Sequence, residues 1–400
     1  MPHRNPADPA RLGLPARLQA LLDLPFPRFS GPEMHRRRAA LADAMAERGV
    51  DQVVVCGEQK AGTGISWLTG WVTTAEQLVV FSPAERPRMF VEWVNHTPLA
   101  REIAFECEVE WSEHRSVEKV VAELQRRGAR KVGVMGQLNF GKYRRLAAAF
   151  PDVVDMNPDY VKLRRVKSAE ELDWLRIGAA FSDASIALLL EELRPGLNER
   201  ELGDIAERAY TPFGGTTLLH YFGVTSMAAP DCYIPRQHPK NRVVAAGDCV
   251  FTEITGQFWD YGGQVLRTFA VGAEPDALYR DLHAAAEAAY DAVTGVIRPG
   301  CTMQEIVDAS GVIEAAGFTI CDDLVHGYGG GYFPPILGTR SRPAGPLPDL
   351  VMQEGMTVVV QPNVIDAARH AGVQVGDLVR VTADGCESLH RAPRGFLRVG

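Results

Sequence analysis

The C-terminal part of the chain carries one pattern twice, and this repeat constrains the fold more than any other feature. "LRPGLNERELGDI" begins at Leu193 and "IRPGCTMQEIVDA" begins at Ile297; each follows a helical stretch and opens the next helix. Later in each copy comes a matching strand pattern, "GDCVFTEI" from Gly247 and "EGMTVVVQP" from Glu354. Two related α/β halves with facing strands are expected, and a site between them would draw side chains from both. Glu253 lies on the first-half strand and Gln361 on its second-half counterpart. A chance recurrence of Arg-Pro-Gly at helix ends is the alternative.

The rest of the chain divides around this repeat. With 400 residues the chain exceeds one ordinary core, so two domains are expected. Residues 1–30 hold six prolines and read as an arm or a loosely packed helix. "PEMHRRRAALADAMAERGV" is an amphipathic helix closed by Gly49. "DQVVVCG", "QLVVFS", "RMFVEW" and "KVGVMG" read as strands, with the helix "SVEKVVAELQRRGA" before the last. Alternation of this kind indicates an α/β domain over 31–162. "PDYVKLRRVKSAEELDWLR" marks the boundary: a basic connection, then a Ser168 cap with Glu171 three residues on, opening a long helix of a domain over 163–400.

Composition excludes several classes. A formal net charge of −8 argues against a general nucleic-acid or anionic-membrane binder. No apolar run reaches the roughly 18 residues of a membrane helix. "MPHRNPADPARLGLPARL" lacks the apolar centre of a signal peptide, so a cytoplasmic protein is expected. Seven scattered cysteines without C-x-x-C spacing suit reduced thiols. Cys56 and Cys249 sit in strand patterns and read as small buried apolar residues.

Three segments carry candidate chemistry. In "FTEITGQFWDYGGQVLRTF", Glu253 shares a strand face with Phe251 and Thr255, and Gln264 follows in the next apolar run. A carboxylate in a central strand is costly unless paired or used; Arg267 and His326 are the structural partners to be weighed. In "LVHGYGGGYFPP", His326 ends an apolar run before glycines that open the backbone to close approach, which suits acid–base work. Phosphate binding is weakly supported because no helix follows, and a core histidine is the plain alternative. In "DCYIPRQHPKNRVVAAGD", Arg236 and His238 lie in a loop, where both residue types are common on surfaces.

Taken in order, these motifs resemble the "pita-bread" family of creatinases, prolidases and aminopeptidases P. The resemblance rests on "KSAEELDWLR", the two "RPG" helices, "GDCVFTEITG" with "LRTFAVG", "VHGYGG", "EGMTVVVQPNVI" and "GVQVGDLVRVT", and on "SWLTGW" in the N-terminal domain. It implies a mixed α/β (α+β) fold: a creatinase-like N-terminal domain followed by a pita-bread domain with an internal pseudo-twofold repeat. Metallopeptidases of the family hold two metal ions with Asp, Asp, His, Glu and Glu. Those positions fall here on Glu253, Gln264, His326, Gln361 and Gly376. Divalent ions need anionic oxygen ligands, so neither metal nor other cofactor is expected. Asp377 would point to the opposite strand face and cannot stand in.

The resemblance to the metal-free creatinases and ectoine hydrolases implies a metal-independent hydrolase or lyase acting on a C–N bond of a small polar metabolite. Glu253 would be base or nucleophile, His326 its acid–base partner and His238 a second proton-transfer candidate. Counting back from Gly247 sets Arg236 at the creatinase histidine position, which a small loop shift would give to His238 instead; Arg236 would hold a substrate anion, with Gln264, Gln361 and Tyr332 also binding substrate. Creatinase's other carboxylates fall on Gln361 and Leu266, which argues against creatine. The alternatives are an Xaa-Pro peptidase with an atypical metal site and a non-catalytic pita-bread binding protein. Relatives imply a homodimer whose neighbouring N-terminal domain covers the site, including the segment "CGEQKAGTG" at 56–64.

Overall fold

A computed structural model describes residues 9–59, 62–217 and 220–400. The chain forms two compact units. One is Leu24–Arg165; the other joins the described residues up to Asp23 with Val166–Gly400. Residues 1–8 of the expected arm lie outside the described residues. Beyond them, Leu12, Leu14 and Leu18 are buried, and Arg391 donates to the carbonyls of Leu12 and Gly13 at 2.6 Å each. This segment is therefore packed into the C-terminal unit.

The N-terminal unit follows its sequence signals. Ser30 Oγ accepts from the Glu33 amide at 3.2 Å and caps the helix Gly31–Arg48, which Gly49 closes with φ 64°. A six-stranded mixed sheet runs in the order Glu108–Trp111, Glu85–Val91, Gln77–Ser82, Gln52–Gly57, Val132–Met135, Val153–Asp155. Val54, Leu78, Val80 and Phe90 form a core with Val117, Val120 and Leu124 of the helix Ser116–Arg126. Each such side chain contributes about 2 kcal/mol through burial.

The C-terminal unit is built on a ten-stranded sheet. Its path is Tyr332–Leu337, Val325–Tyr328, Thr357–Val360, Gly376–Val381, Tyr261–Val271, Asp248–Phe258, Thr216–Thr217, with Tyr221–Ser226 also paired to the Glu253 strand. Ser168 and Glu171 form the expected capping box on the helix Ala169–Glu192. That helix lies directly on the hairpin 248–271 because glycines admit it. A Cβ on Gly263 would sit 2.2 Å from Ala179 Cα, and one on Gly178 2.5 Å from Tyr261 O. Gly263 is on the face opposite Gln264, so the helix covers one side and leaves Glu253 and Gln264 on the other.

The two repeats adopt matching turns. Gly196 and Gly300 have φ of 95° and 84°, and their amides donate to Val244 O at 2.9 Å and Met352 O at 2.8 Å. The next residues repeat the match, with bridges Asn198–Val243 and Thr302–Val351. Gly247 and Gly355 then enter the matching strands, donating to Val271 O at 2.8 Å and Val381 O at 2.9 Å. The recurrence of Arg-Pro-Gly is thus structural. Among the described residues, no helix is long and apolar enough to cross a membrane.

Candidate functional site

Strand register brings the site together. Glu253 lies opposite Leu266 on one side and Tyr221 on the other, while Gln264 lies opposite Thr255. Glu253 and Gln264 are therefore diagonal neighbours on one face. Gln264 Nε2 donates to Glu253 Oε1 at 2.6 Å and reaches Gln361 Oε1 at 3.4 Å. Gln361 Nε2 in turn donates to the backbone O and Oδ1 of Asp323, both at 3.3 Å. Gln361 is one residue past the strand Thr357–Val360, not within it, and its amide is held by Leu324 O at 2.8 Å. A relay of two neutral amides thus runs from Glu253 to Asp323 across both halves of the repeat.

His326 is the second residue of its strand and is 1% exposed. Its ring lies 4.3 Å from that of Tyr332 and edge-on to Tyr328 at 5.8 Å. Tyr332 is 51% exposed and begins the next strand. The glycines between them form a hairpin turn: Gly329, Gly330 and Gly331 have φ of 127°, 67° and 103°. A strand, not a helix, follows, so this run is not built as a phosphate loop.

The electrostatics set the titratable groups apart. Burial, then the charges of Asp322 and Asp323, push Glu253 up to about 8. Burial lowers His326 to about 4, opposed by the Gly327 carbonyl, Asp322 and Gln361. At neutral pH the carboxyl is mostly protonated and the imidazole neutral. Burial and Asp323 raise Asp322 to about 6, and burial raises Asp323 as well. Neither aspartate nor Tyr221 was among the sequence candidates. The adjacent acids ahead of "LVH" were the available signal; nothing in the sequence marked Tyr221.

The loop candidates stand differently. Arg236 is engaged by acids, Asp231 at 3.5 Å and Glu199 at 3.9 Å, and its amide pairs with Phe222 O at 2.9 Å. Among the described residues, no hydrogen bond or ion pair joins it to Glu253. His238 is exposed, with no hydrogen bond or ion pair among the described residues. Of segment 56–64, Lys60 and Ala61 lie outside the described residues. Burial pushes the Cys56 thiol up to about 12 and Cys249 well above its usual range, which suits inert packing.

The structural pairing weighed for Glu253 goes elsewhere. Arg267, 1% exposed, pairs with Asp377 at 2.9 Å and donates to the carbonyls of Leu266, Gly376, Ala392 and Pro393 at 2.8–2.9 Å. Asp377 also accepts from Tyr290 at 3.0 Å and Ser388 at 2.9 Å. It faces away from Glu253, because it stands opposite Val265 rather than Leu266.

Measured against a two-metal centre, these residues do not fit. Two of the five positions are neutral amides already bonded to carboxyl neighbours, and the fifth has no side chain. Leu266 fills the space beside it: a Cβ on Gly376 would lie 2.9 Å from Leu266 Cδ1 and 2.7 Å from Val360 O. Among the described residues, no three His, Cys, Asp or Glu side chains converge to hold a metal ion.

Comparison with known proteins places this geometry in a family. The profile of the creatinase/prolidase N-terminal domain matches residues 37–166, and that of metallopeptidase family M24 matches 173–383. An uncharacterized hydrolase/peptidase, y4tL of Sinorhizobium fredii, is 27% identical over 391 residues, spanning 92% of this chain and 96% of its own. The probable dipeptidase PepE of Mycobacterium tuberculosis is 29% identical over 241 residues, 60% of this chain and 62% of its own. The solved Xaa-Pro dipeptidase of Bacillus anthracis has a similar fold, with a TM-score of 0.78 at 22% identity over 92% of this chain and 100% of that one. Since the M24 profile spans more than half of the sequence, the chain belongs to metallopeptidase family M24, a family of hydrolases.

Proposed function

We propose that the chain hydrolyses the amide C–N bond of a small polar substrate, using Glu253 and His326 for proton transfer and no metal pair. The Glu253–Gln264–Gln361 relay carries this reading, because it puts neutral amides where the family's metal ligands stand. Glu253 then acts as acid, rather than as the base or nucleophile the resemblance implies, and His326, its acid–base partner, acts as base. Neutral His326 takes a proton from water as the water oxygen bonds to the carbonyl carbon. Protonated Glu253 gives its proton to the nitrogen as the C–N bond breaks, leaving an acid and an amine. Gln264, bonded to Glu253 Oε1, orients that carboxyl.

The surroundings also revise the expected substrate. Asp322 and Asp323 make this part of the site acidic, and the charge of Arg236 is answered by Asp231 and Glu199. These features favour a substrate with an amino group over an anionic one. A second reading, a dipeptidase, is favoured by the similarity to the probable dipeptidase PepE and to the Xaa-Pro dipeptidase, and a dipeptide carries both an amide and an ammonium. We further propose, from the family resemblance alone, a homodimer with the neighbouring N-terminal domain over the site; sedimentation as a monomer would refute it.

The test is release of free amine from a panel of dipeptides, Xaa-Pro dipeptides and N-acyl amino acids. Turnover of unblocked amides above N-acylated ones is expected. Turnover of the N-acylated set alone would overturn the substrate reading, and none at all would favour a binding protein.

A further inference from the structure

Two side-chain amides near the candidate site are buried without any partner. Asn363 and Gln374 are each 1% exposed, and all four of their side-chain nitrogen and oxygen atoms lack a hydrogen bond. Buried amides are normally satisfied, so two such exceptions require an explanation. Each lies just past one end of a paired stretch: Ile365 pairs with Gly372, and the Val373 amide donates to Val364 O at 3.0 Å, so Asn363 directly precedes and Gln374 directly follows residues held together.

Their position ties them to the Glu253 site. Asn363 is two residues from Gln361, and Gln374 two from Gly376. The Gln374 backbone is locked to Thr268 by two hydrogen bonds of 2.8 Å, and Thr268 shares a strand face with Gln264 and Leu266. The loop that carries Arg236 closes over the Ile365–Gly372 pairing: a Cβ on Gly372 would meet Tyr233 O at 2.1 Å.

We propose that Asn363 and Gln374 form a subsite that takes a second, neutral amide group of the substrate. Together they offer two N–H₂ donors and two carbonyl acceptors. A carboxamide or peptide group answers both kinds, accepting from one side chain and donating to the other. A carboxylate only accepts, and would leave both Oδ1 and Oε1 unpaired beside its charge; an ammonium only donates. The inference rests on the hydrolase reading for what lies next to the subsite, but its test does not require turnover.

The test is calorimetric titration of the Glu253→Gln variant, in which hydrolysis is blocked, with glycylglycinamide and glycylglycine. The amide is expected to bind about tenfold or more tightly than the carboxylate, the worth of about one buried hydrogen bond. Gln374→Leu should erase that preference without lowering the melting temperature, because it removes an unpaired amide. Gln374→Glu should weaken glycylglycinamide binding further. Equal binding of the two ligands, binding of neither, or a preference that survives Gln374→Leu overturns the proposal. Amide preference without turnover by the wild type would instead refute only the hydrolase reading.

Discussion

Replacing Gly376 by alanine tests whether the family's fifth ligand position is closed sterically. A Cβ there would lie 2.7 Å from Val360 O, 2.9 Å from Leu266 Cδ1 and 3.1 Å from Gln361 Cα. The first and last of these are backbone atoms and cannot yield easily; the leucine methyl can. Overpacking of this kind costs about 1–3 kcal/mol. Against it stands a gain of about 0.4–1 kcal/mol from the less flexible unfolded chain, available because Gly376 is not among the positive-φ glycines. The net expectation is a loss of about 1–2 kcal/mol. Leu266→Ala empties a fully buried site and should cost about 2–5 kcal/mol. In the double variant the new methyl group occupies part of that space, so the losses should fall short of their sum by about 1 kcal/mol. Urea denaturation of the four proteins, read by circular dichroism, measures this. Additive losses, or a Gly376→Ala variant as stable as wild type, would refute the claim that Leu266 fills the position.

Other perturbations separate catalytic from structural residues. Glu253→Gln and His326→Asn should each lower kcat by about 100-fold or more while retaining the fold, measured as turnover beside melting temperature. The folded pKa of Glu253 is raised, so its carboxyl weakens the fold as pH rises from the usual carboxylate range through about 8. Glu253→Gln should therefore gain stability relative to wild type over that window; a constant difference would contradict the shift. Asp377→Asn should instead cost about 3–5 kcal/mol, because it leaves Arg267 buried without its counter-ion. Burial alone would raise Asp377, but Arg267, then His390 and Ser388, hold it below the usual range. Its stabilisation is present above the unfolded pKa and lost as pH falls through the folded one, so the variant's deficit should shrink in acid. The rate profile should be bell-shaped, with limbs near 4 for His326 and 8 for Glu253 in the free enzyme, and Glu253→Gln should remove the alkaline limb.

Much of the fold was legible because local signals and the repeat agree. The Ser168 box, the Gly49 stop and the paired Arg-Pro-Gly turns each act over a few residues, and the structure satisfies each locally. The face of Glu253, and the opposite face of Asp377, followed from strand alternation. What stayed hidden depends on distant pairing. Arg236 reads from sequence as a substrate contact, and its engagement by Asp231 and Glu199 appears only in the fold. The relay through Gln361 to Asp323 ends at a residue whose only mark was a second acid beside it. The reading of Glu253 as base or nucleophile follows the family resemblance, which carries no information on the burial, or on the charges of Asp322 and Asp323, that favour its protonated form. Asn363 and Gln374 gave no signal, since an unpartnered amide is a property of packing alone.

The most direct test of the central claim is to measure bound transition metal and amide hydrolysis in one preparation, before and after chelation. Elemental analysis should find well under one metal ion per chain, with kcat unchanged by chelator and by added manganese or cobalt. One or two ions per chain, with activity lost on chelation and restored by the metal, would contradict it.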